Sequence, residues 1–76
     1  MKTILAKTLA LADHLRSFRV QLAPQVGWEA SAREDQRIIE QQRYSDWHRV
    51  EQALCRFQQH IAELQAAGWR EAKQHL

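Results

Sequence analysis

A chain of 76 residues and 9.0 kDa, 45% hydrophobic and 26% charged, suffices for one small globular domain and leaves little material for an enzyme's pocket. Its net charge of +2, eleven Lys and Arg against nine Asp and Glu, is too balanced to dictate a nucleic-acid or membrane partner, and one cysteine excludes an internal disulfide. At this size the core is marginal unless helix packing is unusually good or a second copy completes it.

The first residues, Met1 to Ala6, resemble the start of a secretory leader, but Lys7 interrupts the apolar run too early, and no leader is expected. No stretch approaches the roughly 18 apolar residues of a membrane span. The lone Cys55 fits a reducing compartment, so a cytoplasmic location is expected.

Only Gly27, Gly68 and Pro24 punctuate the chain, which favours a few long elements and predicts an all-α fold. Ile4, Leu11, Leu15, Phe18 and Leu22 follow helical steps, with Leu5, Leu9 and Ala12 widening the stripe, and predict a first helix over residues 3–23. Pro24 stops it, and residues 24–30 form a loop. Ser31-Ala32-Arg33-Glu34 matches a capping box and opens a second helix over residues 31–67. Within it Trp47, Val50, Leu54, Phe57, Ile61 and Leu64 make an unbroken series of three- and four-residue steps. Gly68 then suits a left-handed C-terminal stop with Trp69 folded back on Leu64, and residues 68–76 are a tail.

Residues 38–47 fit this scheme least well. Ile38 and Ile39 are out of register with the later stripe, and the positions that should be apolar hold Glu40 and Arg43. A continuous helix with a stutter is favoured; the alternative is a three-helix bundle with a break near Ser45, where Ser45 or Asp46 caps the last helix. In the favoured single helical domain, residues 1–76, a first helix of about 32 Å cannot cover a second of about 55 Å. Val50, Leu54, Phe57, Ile61 and Leu64 then form a seam for a second copy, and a homodimer completes a four-helix or coiled-coil-like assembly. Residues 1–25 carry a net +3 and residues 26–46 a net −2, which suggests that the two segments lie side by side.

Catalytic chemistry finds little support. No nucleophile stands beside a histidine and an orienting group, there is no glycine-rich phosphate loop, and Glu34-Asp35 is explained by capping. His48, Glu51 and Cys55 share helical spacing, but one cysteine without paired histidines is a poor zinc set, so no metal and no cofactor is expected. The three tryptophans point instead to a non-catalytic protein-binding module, an inhibitor, adaptor or assembly subunit of a larger protein. Trp28, Arg43, Tyr44, Trp47 and Trp69 are its candidate contact residues. The alternative is a small nucleic-acid-binding accessory or regulatory protein using Arg33, Arg37, Arg49 and Arg56, whose field is diluted by interleaved acids. No membrane partner is expected.

Overall fold

Phe18-Arg19-Val20-Gln21-Leu22 alternates large apolar and polar side chains with a period of two, which in an extended chain sends the apolar ones to one face. In the computed structural model, which describes residues 2–25 and 27–72, this alternation prevails over the helical steps. Strands β1 (Lys2–Leu11), β2 (His14–Ala23), β3 (Gly27–Glu34) and β4 (Arg37–Tyr44) form an antiparallel meander. One helix, α1 (Trp47–Ala66), follows, and a two-residue strand β5 (Arg70–Glu71) returns to pair with Leu9 and Ala10 of β1. The sheet order is β4-β3-β2-β1-β5.

The expectation of an all-α hairpin is therefore overturned, as are its coiled-coil and three-helix variants. Residues 3–23 are two strands and residues 31–44 are parts of two more. The capping-box residues Ser31 to Glu34 lie inside β3, where Ser31 and Arg33 alternate with buried Ala32. The absence of glycine in two of the turns hid them. Ala12-Asp13 and Asp35-Gln36 connect their strands tightly, with Ala12 and Asp35 in the left-handed region at φ 54° and 58°. The segments of opposite charge do lie side by side, but as strands, with Arg16 opposite Glu34.

Register assigns the faces, since directly paired residues in an antiparallel ladder share one. Leu5 and Leu9 of β1, Phe18 and Val20 of β2 and Ala30 and Ala32 of β3 lie on the face that meets α1. From the helix, Val50, Ala53, Phe57 and Ile61 close the core. Alanine is a poor strand former, yet on this face it leaves room for the helix to approach the sheet. Phe18 and Phe57 meet with ring centroids 5.3 Å apart at 60°, a favourable tilted contact. The stripe expected to need a second copy is thus covered by the chain's own sheet: Val50, Phe57 and Ile61 are buried, and Leu54 and Leu64 are half-buried against the same core.

Asp46 caps α1, its side chain accepting from the His48 amide at 3.1 Å. At the other end Trp69 N–H donates to the Leu64 carbonyl and Gly68 N–H to that of Gln65, at 3.0 and 3.1 Å, with Gly68 at φ 108°. This is the glycine stop expected from the sequence. The tail assigned to residues 68–76 instead contains β5, and its last four residues, 73–76, lie outside the described ones.

Two backbone positions are sensitive. At the Asp35 turn, the Asp35 amide donates to the Leu15 carbonyl at 2.7 Å and the Leu15 amide donates back to Asp35 Oδ1 at 3.0 Å. The second bond, aided by His14, holds the Asp35 carboxyl below its ordinary 3.8. A carboxyl lowered in the folded state adds stability above the unfolded pKa and loses it as pH falls through the folded one. The stability advantage of the native chain over Asp35→Asn is therefore expected to be constant near neutrality and to vanish in acid below 3.8; denaturant titrations at several pH values measure it, and a pH-independent difference would refute it. Gly27 sits at φ 94°, a conformation L side chains rarely adopt, and a Cβ there would crowd the Tyr44 carbonyl oxygen at 3.0 Å. Gly27→Ala is expected to cost about 1–3 kcal/mol, read as a lowered denaturation midpoint; an unchanged midpoint would contradict it.

Candidate functional site

Trp28, the second residue of β3, stands directly opposite Tyr44, the last residue of β4, and after only Ser45 and Asp46 α1 starts at Trp47. That connection is short enough to bring the Trp28 and Trp47 rings together, with centroids 5.0 Å apart and planes at 58°. Trp28 and Tyr44 are half-buried against the core, whereas Trp47 remains 46% exposed. Three of the expected contact residues thus form one aromatic corner. The other two do not join it. Arg43 points to the opposite face of the sheet, where its Nε lies 3.6 Å from Glu29 Oε2. Trp69 sits beyond the far end of α1, half-buried against the core.

From this corner β4 runs along the outside of the sheet, and among the described residues no strand lies beyond it. Its outward backbone groups are available for pairing. A bulge falls near Ile38 and Ile39, which are exposed at 47% and 42% although large and apolar. Their failure to continue the helical stripe was the sequence's one sign of this edge.

The arginines assigned to a nucleic-acid surface are divided between two sides of the molecule. Arg33 lies on the sheet face turned away from α1, opposite Ser17 and Ile38. Arg37 begins β4, opposite Glu34. Arg49 and Arg56, on the helix, border a shallow depression with Tyr44 and Gln52. Arg56 is committed internally: its guanidinium meets both oxygens of Glu40 at 2.7 Å, and this contact raises its pKa further above an already high ordinary value.

The uncovered sheet face has its own chemistry, which helical reasoning could not anticipate. Register places Ala6, Thr8 and Ala10 of β1, Leu15, Ser17, Arg19 and Gln21 of β2, Glu29, Ser31 and Arg33 of β3 and Ile38, Gln41 and Arg43 of β4 on it. Arg70 joins them through its pairing with Ala10. Small side chains occupy the middle, and a depression of about 240 Å³ opens above them, bordered by Arg19, Gln21, Glu29 and Arg33. Thr8 Oγ1 and Ser17 Oγ share a hydrogen bond of 3.2 Å on its floor. The alternation in residues 18–22 was the clue to this face.

Among the described residues no group of three or more His, Cys, Asp and Glu side chains gathers as a metal site, His48, Glu51 and Cys55 included. No helix among them is long and apolar enough to cross a membrane. The chain matches no protein-family model, no curated protein and no solved structure.

The aromatic corner is testable as a unit. A double-mutant cycle with Trp28→Leu and Trp47→Leu is expected to return a coupling of about 0.5–1.5 kcal/mol in chemical denaturation. Additive effects would show that the rings do not support each other.

Proposed function

We propose that the chain is a non-catalytic protein-binding module, an adaptor, inhibitor or assembly subunit, that receives an extended segment of a larger protein as an added strand along β4. The carrying observation is that β4 offers eight residues of uncovered edge ending at the aromatic corner. Strand addition draws its affinity from backbone hydrogen bonds and its selectivity from side-chain contacts at alternate positions. Ile38 and Ile39 supply apolar contact at one end of the edge, and Trp47 beside Trp28 supplies an anchor at the other. Tryptophan in such a position is the residue type most enriched among binding hot spots.

The edge carries neither proline nor lysine, two common blocks to pairing. Its bulge and the charges of Arg37, Glu40 and Arg43 restrain indiscriminate pairing without closing it. A partner strand with an apolar residue near Ile39 and another near Trp47 satisfies both ends. The proposal carries a cytoplasmic location, consistent with the free and exposed thiol of Cys55.

Self-association through the helical seam is not carried forward, because the chain's own sheet covers that seam; a second copy would have to pair along this edge. Light scattering and affinity capture on the native chain and on Ile39→Lys and Trp47→Ala, with Arg49→Ala as control, test the proposal. A mass near 9.0 kDa, with a retained protein that survives high salt and is lost from both variants but not the control, is expected. A mass of about twice that, returned to monomer by Ile39→Lys, would identify the edge's occupant as a second copy. Retention indifferent to both substitutions would refute the edge reading.

A further inference from the structure

The nine carboxylates of the chain are distributed unevenly. Asp13 and Asp35 lie in turns, Asp46 caps α1, and Glu51 and Glu63 are on the helix. Glu34 and Glu40 fall on the helix-facing side of the sheet, opposite Arg16 and Ala32, and Glu71 pairs with Leu9 on that side and contacts Lys7 at 3.8 Å. Glu29 alone stands on the uncovered face, where Arg43 is 3.6 Å away. Arg19, Arg33 and Arg70 share this face, and among the described residues none of them has a carboxylate within ion-pair distance. A solvated sheet face needs polar residues, but it does not need them sorted by sign.

We propose that the uncovered face binds the sugar-phosphate backbone of a single-stranded nucleic acid. Arg19 and Arg33 are diagonal neighbours, Arg19 opposite Ser31 and Arg33 two residues further along β3, a spacing of about 7–8 Å. Between and beside them the hydroxyls of Ser17 and Ser31 and the amide of Gln21 present donors to phosphate and sugar oxygens. The floor is built of small side chains, so a narrow, flexible chain can lie along the depression, which a rigid duplex cannot follow. No aromatic residue is on this face; every described tryptophan, tyrosine and phenylalanine belongs to or packs against the core side or the corner. Base stacking is therefore absent and sequence preference slight.

An acidic protein segment would find the charge, but the two exposed apolar side chains of this face, Leu15 and Ile38, lie toward the Asp35 turn and do not border the depression, so a segment lying in it meets no apolar anchor of the kind protein interfaces depend on. Polar, positively charged surfaces are instead characteristic of nucleic-acid contacts. The depression is bordered by no residue of β4 and none of the aromatic corner, so one chain can hold both a protein strand and a polynucleotide.

The probe is a labelled oligothymidylate of about 15 nucleotides, within the range one small domain spans, followed by fluorescence anisotropy across a salt series. Three unpaired arginines predict a slope of log affinity against log salt of about −2 for a single strand. Arg19→Ala/Arg33→Ala is expected to weaken binding at least about tenfold, whereas Arg37→Ala/Arg49→Ala, which removes equal charge elsewhere, changes it less than about twofold. Ile39→Lys and Trp47→Ala should bind the probe as the native chain does, which separates this surface from the proposed strand-addition edge. Circular dichroism confirms that each variant is folded. Equal losses from the two double variants would overturn the proposal by showing attraction without a site. Tighter binding of polyglutamate or of a duplex of the same length would overturn the choice of ligand.

Discussion

Phe18, from the middle of the sheet, and Phe57, from the middle of α1, meet at 5.3 Å, and the rest of the molecule is arranged around that contact. A four-stranded meander has two faces and can leave one wet, but the other must be covered. One helix of 20 residues, about 30 Å long, is enough to do so because the sheet beneath it is only four full strands wide. The fit depends on Ala30, Ala32 and Ala53, small residues that let Phe57, Val50 and Ile61 reach Phe18, Val20 and Leu9. Arg56 then fastens the helix to β4 through Glu40 at its margin. Each charged group used in this way is removed from the surfaces that remain free.

The same arrangement explains which features could be read from the sequence. Helix α1 is an unbroken apolar stripe on a period near 3.6, legible from Trp47 to Leu64, together with its glycine stop. The strands were harder because their core-facing residues are often small. In β3 the buried positions between Trp28 and Glu34 are Ala30 and Ala32, and alanine suits a helix at least as well. Lys7 sits on the helix-facing side of β1 and breaks the alternation of Leu5 and Leu9, leaving spacings that also fit a helix. Two of the turns lack the glycine that usually announces a hairpin and force Ala12 and Asp35 into the left-handed region instead. Phe18 to Leu22 was the one segment whose period of two was plain, and extending that period in both directions would have given β2 and its partners.

The candidate sites divide along the same line. Trp28, Tyr44 and Trp47 were identified as a contact group because of their residue types, and strand pairing brings them together. Arg43 is next to Tyr44 in sequence, but adjacent residues on a strand point to opposite sides, so it faces Glu29 and not the aromatic corner. The arginines at 33, 37, 49 and 56 look aligned only on a continuous helix. Once the chain is extended through residue 44, Arg33 belongs with Arg19, a residue the helical reading had placed on a different element.

Two free surfaces of different character follow from covering only one face with one helix. An antiparallel meander has two edges, and here β5 pairs with one of them over just two residues while, among the described residues, no strand pairs with the outer side of β4. An edge strand that takes up another backbone draws its selectivity from the side chains beside it, and on the proposed reading those are the exposed isoleucines and Trp47. The uncovered face has no backbone groups to offer and acts only through side chains. Its charge is set by what is withheld from it: with Glu34, Glu40 and Glu71 turned toward the helix side, Glu29 is left to Arg43, and among the described residues Arg19, Arg33 and Arg70 have no carboxylate within ion-pair distance. A strand register that satisfies the core therefore also sorts the charge, because each residue's face is fixed by the same alternation that buries Phe18 and Val20.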